Sequence, residues 1–322
     1  MKQKFVIAFS LVLLILVLGF MAKDFFFSDK AGEKNPYEYE LDKLKNVDQD
    51  LITYKEILQF KPETQKLHGI TIDEKDRLYI SGTKRVFIYN KDGKQQSFFN
   101  TEEDVYCMAL GKDGRIFLGM WNHIELWDIE DGHINTWIMP NDSCVITSIA
   151  IREESVFAAD AANKVVYRFD LEGNFLNNIG KKDKSKDIPG FFVPSAYFDL
   201  LIGRDDELWV VNPGYHSFES YKDNGDLIST WSKTSMLIDG FSGCCNPSHI
   251  AMLSNGSFVT SEKGIERIKI HLPTGEFNSV VASPDKFIAG TKGLDLAVDS
   301  EDRIFVLDPG NGLIRVFEEI NN

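Results

Sequence analysis

The sequence predicts an all-β fold: a six-bladed β-propeller of four-stranded antiparallel blades, preceded by one N-terminal transmembrane helix. Six segments recur along the chain, beginning at His68, Cys107, Ser148, Asp199, His249 and Asp295, each an apolar run, a polar turn and a second apolar run. The last apolar residues of the first runs are Ile72, Leu110, Ile151, Ile202, Met252 and Val298. They follow one another at intervals of 38, 41, 51, 50 and 46 residues, the period of propeller blades rather than of helical or solenoid repeats. A third apolar strand follows each pair, as at residues 165–169 and 314–317, and then usually a turn such as Lys91-Asp92-Gly93 that leads to a fourth.

Taken in chain order, the first element is the apolar run at residues 5–22, uncharged and interrupted only by Ser10 and Gly19. Eighteen residues of helix reach about 27 Å, close to the hydrocarbon core of a bilayer. With Lys2 and Lys4 ahead of it, the run reads as a membrane anchor with its N-terminus in the cytoplasm and the body outside, in the periplasm or at the cell surface. A cleaved signal peptide is the alternative; the lack of a small-x-small triplet near Met21-Ala22 favours the anchor. Residues 1–22 are thus the anchor, 23–50, with Pro36 and many charges, a tether, and 51–322 the propeller. The last unit has three strands of its own by Phe317, and residues 318–322 are too few for a fourth. Residues 51–60, an extended pattern with no hairpin partner, are expected to supply that outer strand and close the ring.

The third and sixth units say more. The segment from Leu296 to Phe317 carries Val298-Asp299, Ile304-Phe305-Val306, Asp308-Pro309-Gly310-Asn311 and Ile314-Arg315-Val316-Phe317. This order resembles the strand, strand, Asp-x-Gly-Asn turn and strand of NHL repeats, over about residues 51–320. The resemblance implies a propeller used by binding platforms, lactonases and amidating lyases, and so sets an architecture rather than a reaction. Gly243-Cys244-Cys245-Asn246-Pro247 is similar to a hallmark of an exported bacterial group of NHL-repeat proteins, which implies an address outside the cytoplasm.

Candidate chemistry follows from the propeller itself. The loops entering each innermost strand and those joining second to third strands share one face. Two of them, residues 180–197 and 232–248, account for the longest spacings, and loops of that length in a compact domain tend to carry function. Along the innermost strands, Gly69, Cys107, Ser148, Asp199, His249 and Asp295 occupy one equivalent position. Thr71, Ala109, Ala150, Leu201, Ala251 and Ala297 lie two residues on, so both sets face the channel, while Ile70, Met108, Ile149, Leu200, Ile250 and Leu296 pack between blades. The first ring is expected at the channel mouth. Asp199, His249 and Asp295 there suit a divalent cation; the competing reading has them bonding to channel water and neighbouring backbone.

Cys107, Cys144, Cys244 and Cys245 fall on the same face. Vicinal or longer disulfides, free thiols and a soft metal such as copper or zinc with His249 nearby are all open to them. Tyr197, Asn212, His216, Glu262 and Lys263 lie in loops of that face and are further candidates for ligand contact, as turn residues otherwise. His123 holds the equivalent loop of blade two and His68 a place beside the ring. Lys181, Lys182, Lys184 and Lys186 alternate with Asp183 and Asp187, the pattern of a solvated loop.

The composition is globular, with 43% hydrophobic and 26% charged residues. A net charge of −14 argues against a nucleic-acid partner. The chain has no glycine-rich phosphate loop, nucleophile elbow or His-Glu-x-x-His motif. Two functions remain: a membrane-anchored platform that binds a protein or small molecule on the loop face, and a metal-dependent hydrolase or lyase of the propeller lactonase or amidating-lyase type. Lactonases of this architecture place a Glu and an Asn among the metal ligands, a set the ring does not match, and the platform is preferred.

Overall fold

The computed structural model describes residues 12–19, 44–185 and 188–320. The chain divides into two compact units, Met1–Glu40 and Leu41–Asn322. In the first, residues 12–19 are helical. The rest of the expected anchor, at 5–11 and 20–22, lies outside the described residues, as does Lys186. Among the described residues no helix is long and apolar enough to cross a membrane. The end of the expected tether belongs to the second unit: Val47 is buried, and Gln49–Leu51 forms a 3-10 turn capped by the Asp48 carboxylate.

In the second unit, alternating apolar strands separated by Asp-Gly turns fold into six four-stranded antiparallel meanders. The innermost strands are Leu67–Ile72, Cys107–Leu110, Ile146–Arg152, Leu200–Ile202, His249–Met252 and Asp295–Val298. Each contacts the inner strands on either side, and the last contacts the first, so the blades form a closed ring. Six apolar clusters fill the six gaps between blades. Ile70, Met108, Ile149, Leu200, Ile250 and Leu296 are all buried within them, as the strand alternation predicts.

The ring closes as the sequence leads one to expect. Tyr54–Phe60 pairs antiparallel with Leu313–Glu319, from Tyr54 opposite Glu319 to Phe60 opposite Ile314, with one register shift between Glu56 and Leu58. Tyr54 is buried in the cluster between blades five and six, and Glu56 accepts a 2.8 Å hydrogen bond from the Arg315 guanidinium. The last blade thus takes its outer strand from the start of the propeller, which pairs the edge of Leu313–Glu319.

The inner strands enclose a cavity of about 560 Å³ along the ring axis. Its lining runs from Asp199, His249 and Asp295 at one end to Asp73, Lys112 and Arg204 at the other, on the turns between first and second strands. The polar ring expected at an open mouth is therefore the inner end of the cavity. The reason is the loop at 195–197, which lays Tyr197 edge-on against the His249 ring at 5.9 Å.

Candidate functional site

Asp199, His249 and Asp295 each begin an innermost strand, so the ring geometry brings them together on the axis: their ligand atoms lie within 4.8 Å of one another. His249 Nδ1 is 3.3 Å from Asp295 Oδ1 and 3.6 Å from Asp199 Oδ2. The carboxylates have further work. Asp199 Oδ2 accepts from Ile250 N–H at 2.8 Å and Asp295 Oδ2 from Ile70 N–H at 2.9 Å, each the first strand of another blade. Their other oxygens accept from Leu200 and Leu296 N–H. Ser148 Oγ does the same for Leu200 N–H at 3.3 Å. Burial alone would pull the imidazole down, but the two carboxylates, Asp295 first, outweigh it and hold His249 up to about 10. At neutral pH the centre is an imidazolium between two carboxylates, so a divalent cation binding there has to displace the Nδ1 proton. Cys107, on the same ring, is fully buried, and burial together with Asp199 and Asp295 pushes its thiol well above its ordinary value.

Above the ring, three loops converge. Lys263 Nζ lies 4.6 Å from the centre of the Tyr197 ring and donates to Ser195 Oγ at 2.9 Å. Ser195 in turn donates to Cys245 Sγ at 2.8 Å, and Cys244 Sγ is 3.6 Å from Cys245 Sγ. All four cysteines are free thiols, with Cys107, Cys144 and Cys245 buried and Cys244 exposed. Tyr197, Lys263 and the vicinal cysteines are therefore brought together. Ser195 joins them without any signal in the sequence, because its role depends on where an 18-residue interblade connection (residues 180–197) happens to fold.

Asn212, His216 and Glu262 lie elsewhere in this face as internal supports of its loops. Asn212 is fully buried; its amide donates to Gly190 O at 3.2 Å and Glu219 Oε1 at 2.9 Å and accepts from Phe192 N–H. His216 Nε2–H donates to Gly243 O at 2.5 Å, and its Nδ1 pairs with Thr234 Oγ1 at 3.0 Å. Glu262 sits in a buried cluster, 2.8 Å from Arg267 Nε and 3.2 Å from Lys269 Nζ. Lys269 also donates to Gly240 O at 2.6 Å, and burial pulls its amine down to about 8. Asn212→Ala removes the partner of the buried Gly190 O and Glu219 Oε1 and of the partly buried Phe192 N–H and is expected to cost about 1–3 kcal/mol, read as a lower melting temperature. Cys144 donates to Asn141 O at 2.8 Å inside the cluster between blades two and three. His68 stands 3.3 Å from Asp104, and His123 accompanies Asn122 at 2.8 Å. Lys181, Lys182 and Lys184 are exposed.

Exposed large apolar side chains lie along the outer strands, at Ile57, Phe98, Ile134, Phe175, Leu176 and Ile228, and on the face formed by these loops. Trp121, Ile138, Phe192, Tyr215, Leu237 and Ile288 are all exposed there, contributed by loops of four blade interfaces or blade tips, with Ile138 88% and Leu237 67% accessible. On the opposite face, built from first-to-second and third-to-fourth strand turns, Ile129 is the exposed large apolar residue among those described. Phe192 and Tyr215 pair at 5.9 Å, and Trp121 meets the Tyr106 ring at 5.1 Å.

No family model matches the chain, and no curated protein matches it. Among solved structures, a streptogramin B lyase superposes with a TM-score of 0.60 at 12% identity, covering 83% of this chain and 98% of its own. Virginiamycin B lyase from Staphylococcus aureus gives 0.58 at 16% identity, covering 83% and 100%. The WD40 β-propeller domain of Doa1 gives 0.54 at 13% identity, covering 79% of each chain. At such identities the likeness is one of fold, common to lyases and a WD40 domain, and the function rests on this chain's own side chains.

Proposed function

We propose that the protein is a non-catalytic binding platform of NHL-repeat type, held at the outer surface of a membrane by residues 5–22 and presenting its loop face to a protein partner. The observation that carries this is the display of Trp121, Ile138, Phe192, Tyr215, Leu237 and Ile288 on one of the two loop faces. Exposed aromatic and aliphatic side chains gathered on one face, amid polar loops, are what a protein interface needs at its centre. The uncharged run behind Lys2 and Lys4 supports the anchor. The state of the axis supports the absence of catalysis: its one imidazole is already compensated by two carboxylates, and the carboxylates hold the backbone of other blades. A photo-crosslinking residue placed at 121 or 215 in cells is expected to give a discrete protein adduct that the same residue at 129 does not. Equal labelling from both faces would remove the platform reading.

A metal-dependent lyase or hydrolase retains one observation in its favour, the convergence of three ligand atoms within 4.8 Å. That reading requires saturating divalent metal to raise stability by about 2.7 kcal/mol at a hundredfold excess over Kd, and more at pH 9 than at pH 6 because the proton must leave His249. The platform reading expects the melting temperature to ignore the metal at both values.

A further inference from the structure

We infer that Cys244 and Cys245 form a redox-active dithiol that reduces an incoming disulfide and closes to a vicinal disulfide, with Ser195 and Lys263 as positioning residues. This is independent of the platform reading. The two sulfurs lie 3.6 Å apart, and they differ in access: Cys244 is exposed, whereas Cys245 is 1% accessible. That asymmetry assigns the order of events, because only Cys244 can meet a disulfide arriving from solvent. The buried sulfur is the one with support. Ser195 Oγ–H donates to Cys245 Sγ at 2.8 Å, and the Lys263 ammonium donates to Ser195 Oγ at 2.9 Å. Cys245 Sγ in turn donates to Cys244 Sγ, so the line from Lys263 through Ser195 holds the buried sulfur facing the exposed one. The Lys263 ammonium is itself fixed over the Tyr197 ring, and Asn246 holds the loop by donating to Ser242 O at 2.7 Å and accepting from Lys263 N–H at 2.9 Å.

The step balances as ordinary thiol–disulfide exchange. The Cys244 thiolate attacks one sulfur of the substrate, its S–S bond breaks, and the first thiolate leaves with a mixed disulfide left on Cys244. Cys245 Sγ then attacks the Cys244 sulfur and expels the second substrate thiolate. Both departing thiolates take up the protons released by the cysteines. Two electrons and two protons pass from the dithiol to the substrate disulfide, which is the oxidant.

The test uses the reduced full chain and oxidised glutathione, with the products read by peptide mass. The peptide holding residues 244 and 245 is expected to lose two hydrogens and retain no glutathione. Cys245→Ser should instead trap glutathione on Cys244, and Cys244→Ser should leave Cys245 unmodified. Lys263→Met is expected to leave the attack by Cys244 unchanged but to slow the closing step about tenfold, the rate equivalent of one charge-assisted hydrogen bond, so that the mixed disulfide accumulates; Lys263→Arg should restore closure. If Lys263→Met lowers the melting temperature, Ser195→Ala gives the same reading with a smaller perturbation. A stable glutathione adduct on the unaltered chain, a pair that stays reduced, or oxidation of Cys107 and Cys144 at the same rate would each overturn the assignment.

Discussion

A chain beginning at residue 61 is expected to lose its cooperative thermal transition, while one beginning at residue 44 keeps it. The longer truncation removes Tyr54–Phe60 and exposes the backbone of Leu313–Glu319 as a free edge. It also strips Tyr54 from the cluster between blades five and six and Leu58 and Phe60 from the cluster between blades six and one. Removing a large buried side chain such as Tyr54 costs about 2–5 kcal/mol; the partly buried Leu58 and Phe60 and the lost strand pairing add to it, against the 5–15 kcal/mol that holds a typical domain together. Arg315, 8% accessible, would lose Glu56 and keep only Asp308, 2.9 Å from its Nε. Differential scanning calorimetry of both chains decides the matter. An unchanged transition in the chain from residue 61 would show that the outer strand is dispensable to closure.

The second large effect concerns the axis. His249 is held at about 10 in the fold against 6.5 unfolded, so protonation stabilises the folded state. The contribution is complete below about pH 6.5 and is lost as pH climbs through 10; each unit of difference is worth about 1.4 kcal/mol. Lys269 works in the opposite sense, since its amine sits at about 8 in the fold against 10.5, and stability from that site is gained between those values. The signature of His249 is therefore a difference between two chains. His249→Gln should be less stable than the unaltered protein at pH 6, by the roughly 3–5 kcal/mol that follows from leaving buried charges without their partner, and the gap should shrink steadily toward pH 10. Urea titrations across this range measure it. A gap independent of pH would mean that the imidazole is neutral and contributes only packing.

How much of this was legible from the chain depends on whether the signal is periodic. The six recurrences, the closing strand and the buried faces of the inner strands follow from alternation and spacing, and Ile70 through Leu296 lie where that pattern puts them. The meeting of Asp199, His249 and Asp295 was also readable, because equivalent positions in a ring must face one another. Their engagement with the N–H groups of other blades was not, since it depends on how far each strand is displaced along the axis. The loop face was the least legible. Asn212, His216 and Glu262 share the composition of ligand contacts, yet each is consumed in holding a neighbouring loop. Ser195, Arg267 and Lys269 carried no mark at all, as their partners lie 50, 5 and 29 residues away on paths without a repeat.

The hydrogen bond from Ile70 N–H to Asp295 Oδ2 spans 225 positions of sequence, and it lies at the one join where the chain from the first blade reaches only Tyr54–Phe60, a strand held to the rest of the last blade by its pairing with Leu313–Glu319. Its amide proton is therefore a gauge of circularity. Whenever the first and last blades part, Ile70 loses its acceptor whatever the other five joins are doing, whereas Ile250 N–H, held by Asp199, answers only for the join between blades four and five. Hydrogen exchange at these two amides, compared within one sample, would tell a sprung ring from a ring that breathes evenly. A protein built this way carries its own latch indicator, readable at single-residue resolution without a ligand, a label or a partner.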